Sequence, residues 1–347
     1  MITLLRHLDR SRFEAHLALV EKDGDYLKEV PADVPVHDLK VRRVRQAVPR
    51  LVRLAWHLRP DVIQSSMPEL NMATVLLRPF LPPGVRLLIR EEVVGSVENA
   101  HSRKRPKVWN WLYRHLYPRA DKVICLSDFV LEDLAQTLGV ARSKLIRIYC
   151  PLDRELITRL GNEGENPYTT QGPNILAAGR FEKRKGFDVL LDAMPRVVAA
   201  VEGAHLTILG SRGDLRPELE AQRERLGLAE AVDLIGFQPN PFPYFRHADL
   251  FVLSSLNEGF ALVAVEALIV GTPVVATDCG GLMREILHGC PIARVVPTSN
   301  AQALADAIVS VCRANLKNTQ AEASLDSYLS EFDLKTVMRV YEHLLQA

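Results

Sequence analysis

Residues Asp249–Gly281 read DLFVLSSLNEGFALVAVEALIVGTPVVATDCGG, and this stretch decides the fold. An apolar run typical of a buried strand, Asp249–Leu253, leads into a short polar loop that contains Glu258 and Gly259. A helical pattern follows, and Gly271–Pro273 ends it before another apolar strand. Continuous apolar runs of this kind indicate parallel strands that are covered by helices on both faces.

The loop after this strand has the composition of a phosphate-binding site. A strand that opens through glycine onto a helix start directs free backbone N–H groups and the positive end of the helix dipole at one point. Two carboxylates eight residues apart, Glu258 in the loop and Glu266 in the helix, flank that point. The alternative is a pair of surface acids, but Glu266 lies in an apolar segment, where a carboxylate is costly unless it accepts hydrogen bonds. The combination predicts a phosphorylated sugar as ligand, most simply a nucleotide-sugar.

Apolar runs of strand length alternate with helical patterns along the whole chain, which predicts an α/β protein. The strand predictions are Phe13–Val20, Val62–Ser65, Arg86–Arg90, Lys122–Leu126, Lys144–Ile148, Asn174–Ala178, Ala204–Leu209, Val232–Ile235, Asp249–Leu253, Pro273–Ala276 and Ala293–Val296. With 347 residues the chain exceeds a usual single core, and a Gly-, Asn- and Thr-rich linker at 161–172 divides it into two similar halves. Because open parallel sheets bind ligands beyond the carboxyl ends of their strands, two such halves are expected to face a cleft.

The domain boundaries follow from the linker and from the helical pattern at the end of the chain. We expect a first domain over 1–165, a second domain over 166–324, and a C-terminal helix over 325–347 that packs back toward the first domain.

The second domain opens with a cationic loop. Its first strand ends near Gly179, where no side chain covers the backbone. Arg180 and Lys185 lie at the two ends of the loop that follows. Arginine grips phosphate oxygens with two N–H groups, and lysine supplies a compact charge. The alternative is a solvated basic helix start. However, the helix dipole repels cations at that end, so three cations in a row at 183–185 indicate a bound anion.

Composition excludes several classes of protein. The net charge of +1 argues against a nucleic acid partner. The five cysteines are scattered without ligand-like spacing, which predicts no metal site and reduced thiols in a cytoplasmic protein without a signal peptide. The longest apolar run, 259–276, is interrupted by Glu and Pro and is therefore expected to be core rather than a membrane span. A glycosidase with paired carboxylates is less favoured, because nothing in the pattern raises the pKa of one of them and the cationic loop stays unexplained.

Segment 103–119 combines basic residues with aromatic ones, namely Trp109, Trp111, Tyr113 and Tyr117. A basic aromatic helix can lie on an anionic membrane, which would place the protein peripherally on the inner face. The alternative is a helix that packs on the sheet and keeps a solvated basic edge.

The region from Asn174 to Val296 closely resembles the retaining glycosyltransferases of family 4, which have the GT-B fold of two Rossmann-like domains that face a cleft. The matching segments are Gly179–Phe187, Gly236-Phe237, Ala248–Ser255, Glu258–Ala267 and Gly271–Ala276, and in the first half Ala120–Ser127. Their order, their spacing and their strand–loop–helix setting agree together.

The resemblance implies a role for each site residue. Arg180 and Lys185 would hold the donor diphosphate, Glu266 the ribose, and Glu258 the donor sugar. The backbone amides that cradle the phosphates would be those of Gly259, Phe260, Ala261 and Leu262.

The same resemblance implies sugar transfer from a UDP- or GDP-linked donor to a glycan or lipid-linked acceptor, with retention of configuration and without a metal or other cofactor. The departing diphosphate would serve as the base toward the acceptor hydroxyl. Two other classes stay open at this point. One is a non-catalytic nucleotide-sugar binder or partner subunit, and the other is an epimerase or phosphorylase on a similar scaffold.

The first half departs from the family pattern at three places. The chain starts inside a helix, Ile2–Leu8, ahead of which members of this family have a strand and a glycine-rich turn, so we expect either that Met1 is an internal methionine or that the chain is a natural truncation. Residues 90–92 read Arg-Glu-Glu where relatives commonly have a histidine, and Glu92 is our candidate for an acceptor-side group in its place. Cys150-Pro151 replaces a frequent Asn-Pro. These departures motivate the non-catalytic alternative.

Overall fold

The computed structural model describes residues 1–41, 43–102, 104–211, 213–314, 317 and 322–346. The chain folds into two compact units, one formed by Met1–Leu152 with Leu334–Ala347 and the other by Asp153–Asp333. Both have parallel sheets connected by helices, which confirms the predicted α/β class.

The first unit contains two parallel sheets. Its strands are β1 (Leu17–Leu19), β2 (Val36–Asp38), β3 (Val62–Ser66), β4 (Arg86–Glu91), β5 (Lys122–Cys125) and β6 (Leu145–Arg147). Its helices are α1 (Ile2–His7), α2 (Val44–Leu58), α3 (Pro68–Leu76), α4 (Gly95–Ser102), α5 (Pro106–Leu116), α6 (Asp128–Glu132) and, from the end of the chain, α15 (Leu334–Gln346). β1 pairs with β2 alone, and β3 to β6 form a separate sheet in sequence order. Among the described strands, β1 and β3 are therefore each paired on one side only.

The second unit is one six-stranded sheet with helices. Its strands are β7 (Asn174–Arg180), β8 (His205–Ser211), β9 (Val232–Ile235), β10 (Leu250–Leu253), β11 (Val274–Thr277) and β12 (Ala293–Val296). Its helices are α7 (Arg154–Asn162), α8 (Phe187–Ala200), α9 (Arg216–Arg225), α10 (Phe242–His247), α11 (Leu262–Ile269), α12 (Leu282–Ile286), α13 (Ala301–Ala314) and α14 (Glu322–Leu329). α8 and α13 pack together on the sheet, where Leu190, Leu191 and Ile308 are fully buried.

The strand order of the second unit determines where its site lies. The order is β12-β11-β10-β7-β8-β9, with every neighbouring pair parallel. The chain winds outward from β7 to β9 and then returns to the other side of β7 at β10, as in a Rossmann fold. In such sheets ligands bind beyond the carboxyl ends of the two strands at which the winding reverses. Here these ends lead into the loops 181–186 and 254–261.

The division into units differs from the predicted one at both boundaries. α7 lies before the predicted boundary at 165 and 166, yet it belongs to the second unit because it packs on α10. Asn240 Nδ2 also donates a hydrogen bond to the Leu160 carbonyl of α7, at 2.9 Å. The predicted C-terminal segment 325–347 is split at Leu334, and Ala347 lies outside the described residues. α14 stays with the second unit, whereas Met338 and Tyr341 of α15 pack into the core of the first.

Candidate active site

The loop after β7 places Lys185 at the carboxyl end of the sheet. The three cations at 183–185 form a 3₁₀ turn, and Gly186 follows in the left-handed conformation with φ +61°. The aliphatic stem of Lys185 runs closely past Gly179, where an added Cβ would lie 3.2 Å from both Cδ and Cε of the lysine. Gly179 therefore leaves room for the lysine stem to cross the strand end.

This loop is interlocked with the loop after β10. Ser254 Oγ donates a hydrogen bond to the Lys185 carbonyl at 2.8 Å, and the Leu256 N–H donates to the Arg184 carbonyl at 2.7 Å. A Cβ at Gly186 would lie only 2.1 Å from the Ser254 carbonyl oxygen, so a side chain at this position would force the loops apart. The two loops thus form one rigid structure where the strand order reverses.

Lys185 and Glu258 meet at the centre of this structure. Lys185 Nζ lies 2.5 Å from Glu258 Oε1, which also accepts a hydrogen bond from Ser255 Oγ at 2.7 Å. Arg184 Nη1 is 3.6 Å from the other carboxylate oxygen. Burial alone would raise the pKa of Glu258, but the charges of Lys185 and Arg184 lower it below its ordinary value. Glu258 is therefore a buried anion with a fixed cationic partner. Both residues were predicted to belong to the site, but their contact was not predicted.

Glu266 has the opposite environment. It lies on α11, and no described residue forms a hydrogen bond or an ion pair with its carboxylate. Burial raises the pKa of Glu266 to about 7. Our expectation that nothing raises the pKa of either carboxylate was wrong for this residue, because its neighbours on the helix are apolar and no cation compensates for the loss of water. A ligand that donates hydrogen bonds would satisfy this carboxylate.

The start of α11 agrees with the predicted strand–loop–helix setting. Ala261 precedes the helix in the left-handed conformation with φ +53°, and no side chain caps the first turn. Phe260 is buried and packs edge-on against Phe332 at 5.7 Å between ring centres, which fixes the turn. An uncapped first turn beside Glu258 presents backbone N–H groups and the positive dipole end to an anion.

Arg180 lies apart from these contacts. It ends β7 with about half of its side chain exposed (53%), and Nη1 lies 2.8 Å from Glu182 Oε1. The structure thus brings Lys185, Glu258 and Gly179 into contact and places Arg180 at the rim of the same strand end. Among the described residues, no cluster of three His, Cys, Asp or Glu side chains is arranged to hold a metal ion.

The first unit has an arginine–cysteine contact at the end of β4. Arg90 is buried, and its Nη2 donates to Cys150 Sγ at 3.1 Å while Nη1 lies 3.6 Å from Glu92 Oε1. The segment 90–92 and Cys150, which are two of the three departures from the family pattern, therefore contact each other. The role of Glu92 as an acceptor-side group stays a prediction.

Glu91 is fully buried next to this contact, and its burial was not predicted from the sequence. Tyr117 Oη donates a hydrogen bond to Glu91 Oε2 at 2.5 Å. Burial raises the pKa of Glu91 to about 8, and the hydrogen bonds from Tyr117 and Tyr113 offset only part of this increase. The carboxyl group is therefore protonated in the folded protein at neutral pH.

Glu91→Gln is expected to remove a pH dependence of stability. Because the pKa in the folded state lies above the ordinary value of 4.5, the folded form binds the extra proton, and stability is lost as pH rises from 4.5 through 8. This residue alone should lower the free energy of unfolding by about 1.4 kcal/mol per pH unit over that window. Urea unfolding of both proteins at pH 5 to 9 checks this, and parallel curves for parent and variant would contradict it.

Segment 103–119 combines a buried and an exposed face, although Arg103 lies outside the described residues. Tyr113 and Tyr117 are fully buried, whereas Val108 and Trp111 are about half exposed. Within the described chain, no helix has both the length and the apolar character needed to cross a membrane.

Comparison with known sequences matches both halves of the chain. The profile described as glycosyltransferase family 4 matches residues 1–156, and the profile described as glycosyl transferases group 1 matches residues 172–314. A phosphatidyl-myo-inositol mannosyltransferase of Mycobacterium leprae is 34% identical, over 91% of this chain and 94% of that protein. The chain belongs to glycosyltransferase family 4. It is also 31% identical to the N-acetylgalactosamine-N,N'-diacetylbacillosaminyl-diphospho-undecaprenol 4-alpha-N-acetylgalactosaminyltransferase of Campylobacter jejuni, over 84% of this chain and 80% of that enzyme.

Solved structures show the fold of this family 4 glycosyltransferase. HepE from Anabaena, in complex with UDP-glucose, superposes with a TM-score of 0.80 at 21% identity, covering 99% of this chain and 94% of that one. Sucrose-phosphate synthase from Thermosynechococcus elongatus gives a TM-score of 0.79 at 19% identity, with 97% and 89% covered. The predicted family, the GT-B fold with Rossmann-like domains and the class of enzyme, a hexosyltransferase, are thereby confirmed.

Proposed function

We propose that this glycosyltransferase takes a sugar from a UDP- or GDP-linked donor and transfers it, with retention of configuration and without a metal, to a glycan or lipid-linked acceptor. The observation that carries the proposal is the Lys185–Glu258 pair (2.5 Å) beside the uncapped start of α11, at the point where the strand order reverses. The named activities of the Mycobacterium and Campylobacter relatives and the UDP-glucose complex of HepE support the same donor and acceptor classes.

The geometry suggests a binding role for each residue of the site. Lys185, Arg180 and the first-turn amides of α11 provide positive charge for a diphosphate, and Glu266 provides an acceptor for the ribose hydroxyls. Glu258, held as an anion by Lys185, accepts hydrogen bonds from the donor sugar. Lys185 and Glu258 are held by each other and by the two interlocked loops before the donor arrives, so these two groups need little reorganisation during the reaction.

The reaction itself exchanges one bond at the anomeric carbon. The bond from this carbon to the phosphate oxygen breaks, and a bond to the acceptor oxygen forms on the same face. The acceptor proton passes to the departing phosphate oxygen, so the diphosphate acts as the base and no protein base is required. Charge on the leaving group is stabilised electrostatically by the two cations and the helix amides.

A turnover assay combined with calorimetry separates the three competing hypotheses. The protein is incubated with UDP- and GDP-sugars and with acceptor extracts, in the presence of EDTA, and free nucleoside diphosphate and glycosylated product are quantified. We expect both products in equal amounts, with EDTA having no effect and NMR showing the donor's anomeric configuration. Donor binding by calorimetry without turnover would favour the non-catalytic binder instead. An altered nucleotide-sugar, or sugar phosphate formed without glycosylated product, would favour the epimerase or phosphorylase.

Membrane contact through segment 103–119 is part of the proposal. The exposed side chains of Val108 and Trp111, on a helix with Lys107 and Arg114, have the composition of an interfacial helix. Such contact would bring the enzyme to a lipid-linked acceptor at the inner face of the membrane.

A further inference from the structure

Thr277 ends β11, the strand next to β10, and its side chain is fully buried. Its hydroxyl oxygen lies 2.5 Å from the Ser255 carbonyl oxygen and 3.2 Å from the Leu253 carbonyl oxygen. Because a hydroxyl group has one hydrogen, the shorter contact receives it, and Thr277 donates to Ser255. Thr277 belongs to neither of the two interlocked loops, so β11 is a third element that holds the site in place.

Cys279 provides a second donor to the same carbonyl oxygen. Its Sγ lies 3.2 Å from the Ser255 oxygen, and the residue is fully buried. Burial raises the pKa of the thiol to about 12, so the sulfur keeps its hydrogen at neutral pH. A carbonyl oxygen has two lone pairs, and both are matched here by side chains at or just after the end of β11. These contacts fix the peptide group of Ser255.

The fixed peptide group directs the side chain of Ser255 toward Glu258. Ser255 Oγ donates to Glu258 Oε1 at 2.7 Å, and both residues are buried. Lys185 Nζ contacts the same carboxylate oxygen, and Arg184 Nη1 lies 3.6 Å from the other one. The two cations supply the counter-charge of the carboxylate, whereas the directional hydrogen bond from the serine helps to fix its orientation.

We propose that Thr277 is a positioning residue for sugar transfer, because its hydroxyl group holds the Ser255 peptide and thereby directs the Glu258 carboxylate at the donor sugar. The proposal rests on the proposed function, in which Glu258 accepts hydrogen bonds from that sugar. Thr277 is fully buried, so it acts through Ser255 and does not touch the donor itself. A threonine that only filled space could be replaced by valine without loss, and this difference makes the proposal testable.

Two substitutions of Thr277 separate its hydroxyl group from its shape. Thr277→Val keeps the shape but loses the donor, and we expect kcat/KM for the nucleotide-sugar to fall by about 5- to 10-fold, the effect of one neutral hydrogen bond. Thr277→Ser keeps the donor and should retain the kcat/KM of the parent. The full chain is used in the turnover assay for both variants. A parental value in Thr277→Val, or a value in Thr277→Ser no higher than in Thr277→Val, would overturn the proposal.

A double-mutant cycle tests whether Thr277 acts through Ser255. Ser255→Ala should lower kcat/KM by about 10- to 100-fold, because a hydrogen bond to a charged group is lost. Adding Thr277→Val to this variant should cause no further loss, since the serine hydroxyl that Thr277 directs is already absent. Losses that multiply in the double variant would show that the two residues act independently, which contradicts the proposal.

Thr272→Val is the matched control. Thr272 is also fully buried, and its hydroxyl group donates to the Phe245 carbonyl at 2.5 Å. It lies two residues before β11, at the end of the sheet opposite to the site. Both valine variants lose a buried hydrogen bond from a hydroxyl group to a carbonyl, but kcat/KM should fall only in Thr277→Val. An equal fall in both would show that reduced stability, not positioning, lowers the rate.

Crystal structures of the parent and of Thr277→Val without ligand separate this proposal from the proposed function. We expect Ser255 Oγ to lie beyond hydrogen-bond distance from Glu258 Oε1 in the variant, and an unchanged distance would overturn the positioning role. If the parent transfers no sugar, the proposed function fails, while these two structures still decide whether Thr277 positions the carboxylate.

Discussion

Arg180→Ala is expected to lower the rate of sugar transfer by about 100- to 1,000-fold, the range seen when a preorganised group that stabilises transition-state charge is removed. The side chain is about half exposed (53%). Among the described residues, its only ion-pair partner is Glu182, at the surface. Such contacts contribute at most about 1 kcal/mol, so the free energy of unfolding should hardly change. Initial rates at saturating donor, together with urea unfolding, measure both quantities.

Lys183→Ala is the control for Arg180→Ala. Lys183 lies in the same loop, its side chain is 71% exposed, and its ion pair is with Asp188 rather than with a site residue. We expect its transfer rate to equal that of the parent. If both variants lost activity equally, the transfer rate would depend on the total positive charge of the loop rather than on a specific contact of Arg180. An unchanged rate in Arg180→Ala would remove this residue from the mechanism.

Lys185→Ala is expected to affect stability as well as transfer. Its removal leaves Glu258 as a buried carboxylate without its closest cation (2.5 Å), and breaking a buried pair in this way typically costs about 3–5 kcal/mol. The pKa of Glu258 lies below 4.5 in the parent, so the pair stabilises the fold above that pH, and the contribution is lost as pH falls through the lowered value. The loss in Lys185→Ala should therefore be visible at pH 7 in urea unfolding.

Adding Glu258→Gln to Lys185→Ala separates the two roles of the lysine. The neutral amide no longer requires a cation, so most of the lost stability should return, whereas transfer should stay low because both the charge that faces the diphosphate and the carboxylate that faces the donor sugar are missing. Arg196→Ala serves as the control, since Arg196 pairs with Asp306 at 2.8 Å on the surface and should cost about 1 kcal/mol or less. Recovery of transfer in the double variant would show that the lysine acts only on Glu258.

Local patterns were enough to predict most of the architecture. The segment from Asp249 to Gly281 folds as expected because its strands are apolar, its loop contains glycine, and its helix ends at Ile269, two residues before Gly271. β2 is the one described strand that was not predicted, because Val36–Asp38 is short, half-buried and contains a single apolar residue.

Contacts between residues that are far apart in the chain could not be predicted from the sequence. Lys185 and Glu258 are 73 residues apart, and they meet only because β10 returns to the side of β7. Glu91 is the last residue of a buried strand and lies between charged residues in the sequence, and nothing in that pattern shows that two tyrosines, one from α5 and one from the turn after it, enclose its carboxyl group. Roles could be assigned by residue type, but partners depend on topology.

The close approach of Gly186 to the Ser254 carbonyl has a consequence for changing donor preference. A library that varies Gly186 would mostly yield destabilised proteins, since even a methyl group at this position would overlap the neighbouring backbone. Diversity is better introduced at Leu262, which begins α11 and exposes about a third of its surface (37%). In engineering donor preference, the interlocked loops should therefore be kept unchanged, and only exposed positions around them should be varied.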